Sequence, residues 1–273
     1  MNQFEFLSRV TIGQYLPLDS PIHRLDPRAR LLAFTALVMA LTFTVHPLGL
    51  TIGLAATLLL IALARIPLGY ALSGLLPPMP FLVFIAALQI LFNAAPDIPP
   101  VLLQIGGLAI TPGDLAQGGL ILLRFSALIL AISLSSCTLS TSELTHGLDS
   151  LLSPLARFGL PVNDFILMIQ VTLRFIPFLA QAAERIAKAQ ASRGAEWGSR
   201  QGNIISRTQQ VLPLIVPLFL TSLRRAEAMA LAMDARAYGA FRGRTSLIQY
   251  RWRIKDTAAL LLAAVLFVLI ILS

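Results

Sequence analysis

Long apolar runs dominate the first part of the chain. The runs Leu31 to Val45 and Leu48 to Ala64 are separated only by His46 and Pro47. An α-helix rises 1.5 Å per residue, so runs of about fifteen residues reach the lower limit for crossing a hydrocarbon core roughly 30 Å thick. We therefore predict two short membrane-spanning helices that form a hairpin.

The composition supports a membrane protein. Of the 273 residues, 56% are hydrophobic and 12% are charged, and the mean hydropathy is +0.79. Soluble domains are about one quarter charged, so most of this chain is expected to face lipid or other apolar surface. The single Cys137 excludes an internal disulfide and a cysteine-based metal cluster. We expect no cleavable signal peptide, because Met1 to Leu25 lacks a continuous apolar core.

The middle of the first half is less regular. The segment Leu72 to Phe92 is interrupted by Pro77-Pro78-Met79-Pro80, so either its first half is broken or only Phe81 to Phe92 inserts deeply. Residues 93–119 contain no Lys or Arg and carry a short alternating stretch, Val101 to Ile110. This composition and pattern predict a loop outside the membrane, which could include a small β-hairpin.

Two further membrane helices are expected at Gly119 to Leu139 and Thr257 to Leu272. These runs give an all-α, polytopic fold with three parts: about four spans in residues 1–139, amphipathic cytoplasmic helices in 140–255, and a C-terminal span in 256–273. The central count is five spans, and the apolar segments 163–180 and 211–223 are able to add to it.

Charge placement predicts the orientation. Fifteen of the 21 basic residues lie between Arg157 and Lys255. Because Lys and Arg in short loops favour the cytoplasmic side, the N-terminus and the 140–255 region are expected on the inner side of a bacterial cytoplasmic membrane. The stretches around His46 and 93–119, which have no basic residue, are then expected outside.

Several charged residues near membrane helices have structural explanations. Asp26 and Pro27 suit the N-terminus of the first helix, with Arg24, Arg28 and Arg30 at the inner interface. Arg124 lies five residues inside the predicted helix, near Asp114. It is expected to extend toward the outer interface, with a functional relay as the alternative.

Two basic helix ends stand out in the second half. Asn163 is expected to cap a long helix that Pro177 kinks and that stops at Gly194, with Arg193 beside the negative end of its dipole. The pattern recurs about forty residues later, where a second long segment with two internal prolines ends at Asp234-Ala235-Arg236-Ala237-Tyr238-Gly239. Both arginines fit a docking device, and both also fit the ordinary bias of cytoplasmic loops toward positive charge.

The chain resembles the transmembrane T component of energy-coupling factor (ECF) transporters, importers of vitamins and metal ions that are driven by ABC-type ATPases. The resemblance rests on five segments spread over nearly the whole chain: His23 to Arg28, Leu151 to Leu155 with Gly159 to Pro161, Leu173 to Pro177, Ala189 to Gly194 and Ala232 to Gly239.

In that family, two short Ala-Arg-Gly-like motifs end cytoplasmic coupling helices and dock on two ATPase subunits. The resemblance therefore implies a docking role for two triplets, with Ser192 in place of the usual alanine and Ala237 in place of the frequent glycine. They are Ser192, Arg193, Gly194 and Ala235, Arg236, Ala237.

The implied function is coupling of ATP-driven motion to a separate substrate-binding membrane subunit, the S component. No cofactor, metal or nucleic acid is expected to bind, and no catalytic residue is assigned. The chain has no Gly-x-x-x-x-Gly-Lys-Ser/Thr phosphate loop, so ATP hydrolysis is expected on the partners. The alternatives are a conventional ABC permease and, from another class, a membrane-embedded lipid-modifying enzyme.

Overall fold

A computed structural model describes residues 15–92, 103–105, 108–158, 162–194, 204–239 and 252–273. The chain divides into two compact units. One comprises residues 13–160 and 250–273, and the other comprises residues 1–12 and 161–249. Each unit is described by itself below.

The prediction of an all-α fold is confirmed, with one small β-hairpin in addition. The first unit contains the helices α1 (Pro27–Phe43), α2 (Pro47–Leu63), α3 (Leu68–Ser73), α4 (Met79–Phe92), α5 (Pro112–Thr138), α6 (Thr141–Leu152) and α9 (Ile254–Leu272), the strands β1 (Leu103–Ile105) and β2 (Leu108–Ile110), and a 3-10 helix (Ser153–Phe158). The second unit contains α7 (Val162–Ser192) and α8 (Ile204–Asp234).

The core of the first unit lies where α1 meets α5 and α9. Helix α1 also contacts α2, as the predicted hairpin requires, but it packs more extensively on α9 and α5. Leu37, Leu41 and Ile270 are buried in one apolar cluster with small residues of α5. A second cluster includes Phe34, Ile61 and Leu134. The last helix in the sequence therefore completes the packing of the first.

The break in the Leu72 to Phe92 segment is present as predicted. Helix α3 ends at Ser73, and α4 begins at Met79 after a turn. The alternating stretch forms the expected hairpin, with β1 antiparallel to β2 and Gln104 opposite Ala109.

Helix α5 starts seven residues earlier than the expected Gly119. The Thr111 hydroxyl accepts a hydrogen bond from the Asp114 backbone N–H at 3.3 Å, and the Asp114 carboxylate accepts one from the Thr111 N–H at 2.9 Å. This capping box, with Pro112 in the first turn, satisfies backbone donors that would otherwise be unpaired. The N-terminal part of α5 was thus wrongly assigned to the loop.

In the described ranges, three helices are long and apolar enough to cross a membrane: Pro112–Thr138, Asp164–Ser192 and Ile254–Leu272. Pro47–Leu63 and Met79–Leu91 are shorter apolar helices. The apolar part of Asp164–Ser192 is the segment that the sequence allowed as an additional span, and the count of five stays a prediction.

The start of α1 is partly as predicted. Asp26 caps the helix by accepting a hydrogen bond from the Arg28 N–H at 3.0 Å, and Pro27 occupies the first turn. Arg24 is exposed and pairs with Asp19. Arg30, however, is only 2% exposed, so its side chain does not extend into solvent as that of Arg24 does. It can be buried because Glu143 at the start of α6 compensates its charge.

Candidate functional site

The first arginine turn closes α7. The Arg193 N–H donates to the Gln190 carbonyl at 3.0 Å, and the Gly194 N–H donates to the Ala191 carbonyl at 3.0 Å. Gly194 has φ of +85°, in the left-handed region that glycine enters without steric cost. The predicted stop at Gly194 is confirmed. Asn163 was expected to cap this helix, but the helix begins at Val162, so Asn163 lies within its first turn.

The second arginine turn closes α8 with a Schellman motif. The Tyr238 N–H donates to the Met233 carbonyl at 3.0 Å, and the Ala237 N–H donates to the Asp234 carbonyl at 2.8 Å. Ala237 has φ of 56°, so it holds the left-handed conformation although it carries a Cβ. Left-handed backbone costs an L-residue about 1–2 kcal/mol, and the two hydrogen bonds of the motif offset part of that cost.

The two turns share one backbone pattern. In each, the arginine N–H and the N–H of the next residue both donate to carbonyls three residues earlier, and the next residue has positive φ. Arg193 and Arg236 are both exposed. Ser192 donates its hydroxyl to the Ala189 carbonyl at 2.8 Å, so it is satisfied within its own helix. Each turn therefore presents one exposed guanidinium suited to carboxylates or carbonyls of a partner.

Helices α7 and α8 run antiparallel. The Gln190 amide nitrogen lies 3.5 Å from the Pro213 carbonyl, and the Arg225 guanidinium lies 5.2 Å from the centre of the Phe178 ring. From the first contact to the second, the position moves twelve residues back along α7 and twelve forward along α8. The two C-terminal turns consequently lie at opposite ends of the pair, roughly 40 Å apart at 1.5 Å per residue.

Large apolar side chains remain exposed along the same two helices. Prolines lie inside both, at Pro177 in α7 and at Pro213 and Pro217 in α8. The exposed apolar residues are Phe165, Met168 and Ile176 on α7, and Leu212, Ile215, Val216, Phe219, Leu220, Leu223 and Leu231 on α8. An apolar surface of this extent indicates contact with lipid or with another protein.

In the first unit, sequence reasoning missed a polar node around Arg30. Its Nη2 donates to Glu143 Oε1 at 2.7 Å, and its Nη1 donates to the Thr138 carbonyl at 2.6 Å. Glu143 also accepts from the Ser140 N–H at 3.1 Å and so caps α6. One guanidinium thus ties α1 to the end of α5 and the start of α6. The Ser140-x-x-Glu143 capping pattern was the available signal for this helix start.

His23 lies beside this node. Its Nδ1 is 2.7 Å from the Ser20 hydroxyl. Partial burial lowers the pKa of His23, and the positive charge of Arg30 lowers it further. His23 therefore favours the neutral form beside a fixed cation.

Because α5 starts at Pro112 and not at Gly119, Arg124 lies deeper within the helix than predicted. Its Nη2 donates to the Thr44 carbonyl at 2.6 Å, at the C-terminus of α1. Thr44 in turn donates its hydroxyl to the Ile270 carbonyl at 2.7 Å, near the end of α9. Asp114, which the sequence places near Arg124, is engaged in the cap of α5. Arg124 therefore satisfies the Thr44 carbonyl at the end of α1, and Thr44 satisfies the Ile270 carbonyl near the end of α9.

Comparisons with known proteins cover the whole of this architecture. A family model described as "CbiQ: Cobalt transport protein" matches residues 19–247, which include both arginine turns. A protein of Heliobacterium modesticaldum named energy-coupling factor transporter transmembrane protein EcfT is 40% identical over 268 residues, covering 97% of this chain and 98% of that protein. The Bacillus subtilis protein of the same name is 38% identical over 273 residues and is covered to 99%.

Proposed function

This chain belongs to the family of the transmembrane T components of ECF transporters, and from that membership we propose that α7 and α8 form its coupling device. In this role, the pair transmits the ATP-driven motion of two ATPase subunits to a separate substrate-binding membrane subunit. The cargo is a vitamin or a metal ion, recognised by that other subunit.

The observation that carries the proposal is the placement of two matching arginine turns at opposite ends of one antiparallel helix pair. A single acidic groove could not hold both ends at a separation of roughly 40 Å. Two separate ATPase subunits, each with one acidic groove, fit this spacing. Arg193 with Ser192 and Gly194 docks on one subunit, and Arg236 with Ala235 and Ala237 docks on the other.

The proposed mechanism uses the helix pair as a lever. When ATP closes the two ATPase subunits, the distance between their grooves changes, and the two anchored turns must follow. The pair can respond by changing the angle between α7 and α8, because prolines within both helices remove backbone hydrogen bonds and ease bending. Motion at the turns is thereby transferred to the exposed apolar surface between them.

That apolar surface is the proposed seat of the S component. Phe219 and Leu220 on α8 and Met168 on α7 are among its exposed side chains. Apolar contacts are non-directional, so a partner can tip on such a surface without losing a set of specific hydrogen bonds. The S component can then reorient its binding site as the lever moves.

The chain itself is proposed to be non-catalytic. ATP binding and hydrolysis belong to the partners, since the sequence has no phosphate loop. The coupling helices and the N-terminus face the cytoplasm of a bacterial cell, where the ATPase subunits are located. This orientation agrees with the clustering of basic residues after Arg157.

Charge reversal at both turns tests the proposal. We expect Arg193→Glu combined with Arg236→Glu to abolish co-purification of the two ATPase subunits and to stop substrate uptake. The matched control is Arg185→Glu combined with Arg224→Glu, which reverses two exposed arginines on the same helices away from their ends. The control should retain both ATPase subunits.

The single variants distinguish two anchors from one. Each single reversal should weaken one attachment and leave the other, so partial assemblies with one ATPase subunit are expected. Normal assembly and uptake in the double variant would overturn the proposal. Recovery of the ATPase subunits without any S component, together with direct substrate binding by this chain, would instead support a conventional permease.

A further inference from the structure

A basic cleft of about 380 Å³ lies at one end of the membrane helices of the first unit. Arg65 enters it from the C-terminus of α2, and Arg253 and Lys255 enter it from the N-terminus of α9. Arg24 completes the four cations that line it, against the two carboxylates of Asp19 and Asp256. The lining side chains therefore have a formal net charge of +2.

The two carboxylates in the cleft are already engaged. Asp19 accepts two hydrogen bonds from the Arg24 guanidinium, at 2.8 and 2.7 Å. Asp256 is 2% exposed and accepts from the backbone N–H groups of Asp26 at 2.8 Å and Arg253 at 2.7 Å. Arg65 Nη1 donates one long hydrogen bond, 3.4 Å, to the Asp19 carbonyl. Its other donors and the side chains of Arg253 and Lys255 can still bind an anion.

An apolar groove of about 90 Å³ adjoins this cleft. It lies between α1 and α9, and Leu25 lines both the groove and the cleft. The groove continues along apolar residues such as Ala259, Ala263 and Phe267. A cationic cavity beside an apolar groove matches the two parts of a phospholipid, a charged headgroup and an acyl chain.

Arg30 gives a second indication of a polar ligand, in the adjoining groove. It lines the apolar groove and is 2% exposed. Its Nη atoms are paired with Glu143 and Thr138, whereas its Nε has no hydrogen-bond partner within the described part of the chain. One buried N–H donor is thus present in the wall of the groove, where the glycerol ester of a lipid would follow its phosphate.

We propose that this cleft and groove bind one anionic phospholipid, with its phosphate between Arg65, Arg253 and Lys255 and an acyl chain between α1 and α9. The bound lipid would join the ends of α2 and α9, which are far apart in sequence. The site is formed wholly within the first unit and does not depend on the docking of ATPase subunits.

Native mass spectrometry of the full chain in detergent can measure this binding, with phosphatidylglycerol and phosphatidylcholine as probes. We expect one phosphatidylglycerol to bind more tightly than phosphatidylcholine. Arg65→Gln and Lys255→Gln should each weaken the first phosphatidylglycerol about fivefold, since one basic residue near an anionic headgroup contributes on the order of this factor. Lys188→Gln, a charge-matched change on α7, should leave it unaltered.

The groove is tested without changing charge. Ala263→Leu fills the apolar channel and should reduce retention of phosphatidylglycerol, whereas Ala264→Leu adds the same side chain to a different face of α9. Equal affinity for the two lipids, or equal effects of the two leucine variants, would overturn the proposal. Displacement of phosphatidylglycerol by millimolar inorganic phosphate, with no effect of Ala263→Leu, would also overturn it, because the site would then take a free anion.

Discussion

Gly194 and Ala237 hold equivalent positions in the backbone, one residue after the arginine that ends each long helix. Their φ angles are +85° and +56°, and each donates its N–H to the carbonyl three residues earlier. The two sequences therefore reach the same geometry, although only the first uses glycine. Alanine in place of glycine raises the conformational free energy of the second turn and retains its backbone hydrogen-bond pattern.

Ala237→Gly is accordingly expected to stabilise the second turn. Removing the Cβ relieves a left-handed backbone strain of about 1–2 kcal/mol. Glycine also gives the unfolded chain more conformational freedom, which offsets about 0.5–1 kcal/mol of this stabilisation. The net gain should be below about 1.5 kcal/mol, with docking retained. Hydrogen exchange of the Tyr238 amide, which bonds to Met233, is the measurement.

Gly194→Ala gives the opposite test at the first turn. Among the described residues no atom lies within 4 Å of the added Cβ, so the expected loss comes from the left-handed backbone. We expect the end of α7 to fray and exchange of the Gln190 to Arg193 amides to accelerate. If both substitutions had the same sign of effect, the two turns would not be equivalent.

Arg30 and Glu143 should be strongly coupled. Their pair is buried on the arginine side, where the side chain is 1% exposed. Glu143→Gln leaves Arg30 buried without a counter-charge, which costs about 3–5 kcal/mol, so it should lower the thermal midpoint sharply although glutamine can still cap α6. Arg30→Met should destabilise less, because the Glu143 side chain is 21% exposed, although the hydrogen bond to the Thr138 carbonyl is lost.

The double variant Arg30→Met with Glu143→Gln measures the coupling. We expect it to lose less than the sum of the two single losses, because no unpaired charge remains. The exposed pair Arg24 and Asp19 is the control, and Arg24→Met should change the midpoint little. Additive losses at Arg30 and Glu143 would contradict the proposed pairing.

The sequence predicted the features that depend on neighbouring residues. The ends of α1, α2 and α9 lie within a few residues of the predicted ones, and Asp26 and Gly194 act as the local rules require. Features that depend on distant residues were missed. The buried pairing of Arg30 was not predicted, because its partner Glu143 is 113 residues away.

The arrangement of the two arginine turns shows the same limit. Helical periodicity identifies α7 and α8 separately and places an arginine at the end of each. It does not tell in which direction α8 runs back along α7, since that depends on contacts such as Arg225 with Phe178. The sequence therefore predicted two docking candidates, and their placement at opposite ends required the structure.

Gly49 is expected to be intolerant of any side chain. An added Cβ would collide with the Ile270 carbonyl and the Thr44 hydroxyl, which are hydrogen bonded to each other at the C-terminal ends of α1 and α9. Gly49→Ala should therefore separate these helix ends and lower the thermal midpoint. Gly69→Ala is the matched control: it has open space, and alanine should stabilise α3 by about 0.5–1 kcal/mol.

His23 should titrate below the ordinary histidine value of about 6.5, because burial and Arg30 both lower its pKa. The unfolded chain then takes up a proton before the folded one. The contribution of His23 to stability is complete above about pH 6.5 and is lost as the pH falls from there toward the folded pKa. Imidazole NMR shifts give the pKa, and His23→Gln should remove this part of the pH dependence.

The proposed orientation can be tested with two cysteines. Val45 is 78% exposed in the α1–α2 connection, and Phe158 is 85% exposed before α7. Native Cys137 is 1% exposed and would be replaced by alanine as a background. On intact cells, an impermeant maleimide should label Val45→Cys and should label Phe158→Cys only after permeabilisation. The reverse pattern would place the coupling helices outside, away from any ATPase, and would contradict the proposed function together with the orientation.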